Sequence, residues 1–181
     1  MKITKKHLVN IAFVIVIGLM LYPPTKVYFI RLISFSPSET KIENQLQVSN
    51  TNWQLKGLNT KDFNLKEFED KVVFVSFWAT WCAPCVAEMP SMDKLYADYK
   101  DKVAFVFVTN EDWKTVNPFY IKRGFYFPTY NQLTKTPKEL ESSSIPATFI
   151  LSKDKKIVIE KYGAADWNST KTRNILDKLV N

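Results

Sequence analysis

The chain has 181 residues, 46% of them apolar and 14% aromatic, with a net charge of +7. That is enough for one packed domain and an extension. The charge does not mark a nucleic-acid binder: residues 1–46 hold +4 of it, and the remaining +3 forms no basic stripe with interleaved aromatics. Metal chemistry is equally unsupported, because zinc wants about four ligands and the chain offers only Cys82, Cys85 and a remote His7.

Lys2, Lys5 and Lys6 precede residues 8–22, whose only strongly polar member is Asn10. A charged start followed by an apolar run is an export signal, with a length between a signal core and a full span of about 20 residues. Tyr22, Pro23 and Pro24 stand where a cleavage site would want small residues, so an uncleaved single-span anchor is expected. Residues 27–35 form a second apolar patch broken by Arg31, either an interfacial segment or a continuation of the tether. The lysine bias and the export signal together put the rest of the chain outside the cytoplasm. The predicted division is an anchor and interfacial segment over 1–35, a polar linker over 36–52 with a short helical piece, and a folded domain over 53–181.

Within the domain, residues 54–58 read as an edge strand and 65–68 as a helical turn. Residues 72–77, five of six apolar, read as a buried central strand. Residues 82–99 read as a helix with Leu95 and Tyr99 on its buried face and a kink at Pro90, which lacks an N–H. The unbroken apolar run 103–109 is a strand covered on both faces. A helix over 116–123 stops at Gly124, strands 147–151 and 157–162 form a hairpin, and 170–180 closes the chain as a helix. The order β-α-β-α-β-β-α predicts an α/β fold with a mixed sheet.

Cys82 and Cys85, the only cysteines, lie where the first central strand gives way to the helix. A Cys-x-x-Cys at that junction suits thiol–disulfide exchange. Unpaired N–H groups and the positive end of the helix dipole stabilise a thiolate on the first sulfur, and the second follows about one turn later. An inert structural disulfide is the plain alternative, but so small a loop gains little closure entropy.

The stretches Lys71-Val72-Val73-Phe74-Val75-Ser76-Phe77-Trp78-Ala79-Thr80-Trp81-Cys82-Ala83-Pro84-Cys85, Glu88-Met89-Pro90 and Ile145-Pro146-Ala147-Thr148-Phe149-Ile150 resemble the TlpA/ResA-like, membrane-tethered thiol–disulfide oxidoreductases of the thioredoxin-fold superfamily. The resemblance spans about residues 53–181. It implies a thioredoxin-like fold, Cys82 as attacking and Cys85 as resolving thiol in a redox disulfide, and a cis peptide between Ile145 and Pro146 that helps position a substrate strand. Trp81, Pro84, Ile145 and Pro146 are then the substrate-facing residues, Trp81 having a packing reading as well. Glu88 lies three residues beyond Cys85, on the same helical face; the resemblance puts its carboxylate near the buried thiol, to raise the thiol pKa or relay a proton. The plain reading of Glu88 is an exposed helical glutamate. One departure is the turn Lys153-Asp154-Lys155-Lys156, where the family usually carries glycine.

Ala83 and Pro84 add no positive charge between the cysteines, and Glu88 is acidic, which favours a reductant over an oxidant. The partners implied are protein disulfides, such as those of apocytochrome c, a membrane electron-donor protein that recharges the dithiol, and the membrane itself. No cofactor is needed. The rivals are an oxidase or isomerase, distinguished by potential; a peroxidase, weakened because Ala79 stands where Thr or Ser belongs; and a non-enzymatic tethered binding domain. Glu111, Asp112 and Trp113 follow the strand that ends near Thr109, at the sheet edge where α/β proteins bind ligands; they line a partner groove or, the plainer reading, form a solvated loop.

Overall fold

The computed structural model describes residues 5–21, 25, 27, 29–30, 33–40 and 45–181. Helix α1 (Lys5–Leu21) is 17 residues long, about 25 Å at 1.5 Å per residue. No helix among the described residues is long and apolar enough to cross a membrane. Described apolar side chains of α1 stand exposed, Phe13 and Val14 among them.

The domain is built from β1 (Gln54–Gly57), β2 (Phe63–Asn64), β3 (Val72–Phe77), α2 (Ala83–Tyr99), β4 (Val103–Val108), α3 (Trp113–Arg123), β5 (Thr129–Gln132), β6 (Ala147–Leu151), β7 (Ile157–Tyr162) and α4 (Thr170–Val180). The seven strands form one mixed sheet in the order β2-β1-β5-β4-β3-β6-β7. β3, β4 and β5 run parallel, as the crossover helices α2 and α3 require, while β6 and β7 run antiparallel. Alternation along β3 splits the core: Val72 and Phe74 join one apolar layer, Val73 and Val75 the other. The first layer takes Met89, Leu95 and Tyr99 from α2, Tyr120 from α3 and Leu176 from α4. Trp53, Phe63, Leu65 and Leu140 seal the second.

Helix α2 continues through Pro90 as one element. Helix α3 begins three residues earlier than expected, because Asp112 caps it by accepting from Thr115 N at 2.9 Å. It ends at Gly124, whose φ of 73° supplies the left-handed cap. β2 and β5 were not expected; Thr-Tyr-Asn-Gln has little apolar signal, and the Asn59 side chain helps define β5 by accepting from Thr129 N and donating to Phe127 O.

The segment expected as a linker is not free. Thr40 N donates to Val158 O at 2.8 Å, Ile157 N to Leu46 O at 2.8 Å and Val48 N to Lys155 O at 3.0 Å, so described residues of 36–52 run along β7. None of the described residues there is helical; residues 41–44, the middle of the expected helical piece, lie outside the described set.

Candidate redox site

Two backbone devices bring the site to one end of the sheet. Phe77, the last residue of β3, pairs with Ala147, the first of β6, so the loop after β3 and the residues before β6 lie side by side. The Ile145–Pro146 peptide is cis, as the resemblance implied, and Pro146 O accepts from Gly163 N at 2.9 Å. On the other side, Trp78 N donates to Val108 O at 3.0 Å, and the Trp78 ring stacks on Tyr120 at 5.5 Å.

Cys82 is the N-cap of α2, in extended conformation, and its Sγ accepts from Cys85 N at 3.2 Å. Val86 N donates to Cys82 O, so the first sulfur sits at the unpaired amides of the helix start. Cys82 and Cys85 form a disulfide and are 4% and 1% exposed.

Glu88, one turn further along α2, is buried rather than an exposed surface glutamate. Its Oε2 accepts from Trp167 Nε1 at 2.8 Å and from Ala165 N at 3.1 Å. Burial outweighs these bonds and pushes the carboxyl up to about 8. The two partners come from the loop before α4, and nothing in sequence spacing pointed to them.

Trp81 is 75% exposed, which removes its packing reading. It borders an open cleft of about 610 Å³ whose walls include Phe77, Thr109, Glu111, Lys135 and Ile145. Thus Trp81 and Ile145 share one cleft beside the cysteines, Pro146 is buried next to it, and Pro84 is half-buried in the first turn of α2.

Glu111 is the residue that sequence reasoning undervalued. Its carboxylate accepts from Thr80 N at 2.6 Å and from Thr80 Oγ1 at 2.7 Å, gripping the loop two residues before Cys82. Asn131 Nδ2 donates to Glu111 O at 3.0 Å and ties this grip to β5. Of the three loop residues, Glu111 holds the redox loop, Asp112 caps α3, and Trp113 packs edge-on against Tyr120. Among the described residues, no cluster of His, Cys, Asp and Glu is grouped to hold a metal ion.

The Redoxin family model matches residues 41–179. The chain belongs to the Redoxin family. It is 33% identical over 117 residues to thiol-disulfide oxidoreductase ResA of Bacillus thuringiensis, covering 62% of this chain and 66% of that protein, just under two thirds of its length. It is 32% identical over 160 residues to the thioredoxin-like protein YneN of Bacillus subtilis, covering 86% of this chain and 88% of that one. Among solved structures, this Redoxin member shares its fold with a DsbF homologue from Corynebacterium diphtheriae (TM-score 0.62, 21% identity, 78% of this chain and 93% of that chain). It shares it also with StoA from Bacillus subtilis (TM-score 0.55, 22% identity, 68% and 92%).

Proposed function

We propose that this chain is a membrane-tethered, extracytoplasmic thiol–disulfide oxidoreductase that reduces disulfides in other proteins. The observation that carries the reading is the Cys82–Cys85 disulfide at the N-cap of α2, beside a cleft edged by an exposed Trp81. The reduced Cys82 thiolate attacks one sulfur of a substrate disulfide, forming a mixed disulfide and releasing the other sulfur as a thiolate. Cys85 then attacks Cys82, the substrate leaves as a dithiol, and two electrons have passed to it. A dithiol protein at the membrane returns them by the reverse sequence.

Cys85 must lose a proton to attack. The ionised fraction of Glu88, whose carboxyl burial pushes up to about 8, is the group on the same helical face that accepts it. After exchange the protonated carboxyl is the stable form at neutral pH. The dipeptide between the cysteines, Ala83-Pro84, has no cation to favour the thiolate pair, which supports a reducing rather than oxidising poise. The kinship with ResA, a thiol-disulfide oxidoreductase, supports the exchange chemistry. Trp81, Pro84, Ile145 and Pro146 form the surface that receives an extended substrate segment, and exported cysteine pairs such as those of apocytochrome c fit that role.

A redox titration against glutathione tests the direction. The expected potential is well below the about −120 mV of a strong disulfide oxidant, and a value that high would reverse the assignment. In cells, Cys85→Ser is expected to accumulate mixed disulfides through Cys82 with exported proteins.

A further inference from the structure

Val27 and Ile30 form a small apolar cluster with Ala83, Val86 and Ala87 of α2 and with Phe119 of α3. Val27 is buried there, at 8% exposure. Ala83 directly follows Cys82, so this contact sits on the turn of helix that bears the disulfide. From that point the chain leads away from the redox centre. Ser34 borders a cleft with Pro90 and Ser91, further along α2. Phe35 O accepts from Asp166 N at 3.2 Å, Thr40 N donates to Val158 O, and Val48 N donates to Lys155 O, in the hairpin at the opposite end of the sheet. The chain therefore enters the domain at the pole that carries Cys82 and Cys85.

Contour length turns this contact into a constraint. Only six steps separate Leu21, the last residue of α1, from Val27, and extended chain covers about 3.3–3.6 Å per residue. The redox pole is thus leashed within about 20 Å of the end of α1. Were residues 27 and 30 undocked, the first backbone hydrogen bond to the body among the described residues would be at Phe35, and the leash would lengthen to about 50 Å.

We propose that the docking of Val27 and Ile30 is a clamp that keeps the Cys82–Cys85 pole facing the membrane, so that its electron-transfer partner is a protein whose reactive sulfurs lie at lipid-headgroup level. This rests on the membrane-tethered reading above. With the clamp closed the disulfide is presented to the bilayer; a soluble substrate must approach from the side, along the cleft bordered by Trp81 and Lys135.

The test uses the full chain in vesicles of phosphatidylcholine and phosphatidylglycerol with a quencher on a fraction of the headgroups. Ser143, on the cleft rim, or Lys153, in the far hairpin, is replaced by a ketone-bearing residue carrying a fluorophore, so that no third cysteine is introduced. Headgroup quenching is expected to be several-fold stronger at position 143 than at 153. In the double variant Val27→Asp, Ile30→Asp that difference should vanish, while the rate with soluble 2,2′-dithiodipyridine stays that of the parent and certifies the fold. A Gly-Ser insertion of about twelve residues after Leu21, flexible by composition, should shrink the difference without touching the dock. Equal quenching at the two positions in a chain that floats with the vesicles overturns the clamp and leaves the tether standing. Failure to float overturns both.

Discussion

At the scale of single residues the site depends on two carboxylates that do opposite things. Glu88 is a buried acid whose protonated form the fold prefers. Between about pH 5 and 8 the folded chain holds a proton there that the unfolded chain has lost, so stability falls as pH rises through that window, by at most about 1.4 kcal/mol per pH unit. Glu88→Gln keeps an oxygen to accept from Trp167 Nε1 and Ala165 N but cannot ionise. Urea unfolding across this range should show the parent losing ground to the variant as pH rises, and the pH profile of disulfide exchange should lose its inflection near 8. Glu111 is half-buried and holds Thr80 by two short hydrogen bonds. Glu111→Ala leaves those donors without their partner and is expected to cost about 1.5–3 kcal/mol in chemical denaturation. It should also slow exchange by loosening the loop that carries Cys82. Trp81→Ala, at an exposed ring, should leave stability unchanged, slow reduction of a protein disulfide, and spare the rate with a small soluble disulfide.

At the scale of elements, the β6–β7 hairpin shows how a missing glycine is replaced. Lys155 takes the left-handed position at φ 61°, and its buried ammonium donates to Glu69 O, Lys71 O and Lys153 O at 3.1, 3.0 and 2.9 Å. The side chain compensates for the backbone it strains. Lys155→Ala keeps the strain and loses the three bonds, at a cost on the order of 2 kcal/mol. Lys155→Gly loses the same bonds but relaxes the backbone, so it should melt above the alanine variant by about 1 kcal/mol of stability. This is also where sequence reading reached its limit. β3, β4 and α2 were legible because apolar runs and a helix start coincide with the cysteines. β5 was not, because a polar strand is defined by the neighbours it pairs with. Glu88 was legible as a candidate through its spacing from Cys85, but Trp167 and Ala165, 77 or more residues away, meet it only through tertiary packing. Glu111 looked like loop because its partner, Thr80, lies 31 residues earlier.

At the scale of the whole molecule, the described part of residues 36–52 is joined to β7 rather than hanging between α1 and the domain. The folded body therefore begins well before Trp53, and only a few residues separate α1 from it. Under the tethered reading, a full-length chain expressed in bacteria should sediment with membranes and resist extraction by high salt, whereas a chain lacking residues 1–21 should be recovered in the soluble fraction with its exchange rate intact. Whether Cys82 passes electron pairs to disulfides of other proteins is decided by timing the reduction of a protein disulfide such as insulin's by the parent and by Cys82→Ser. The variant is expected to fall to the rate of the reductant alone; a variant as fast as the parent would remove Cys82 from the chemistry.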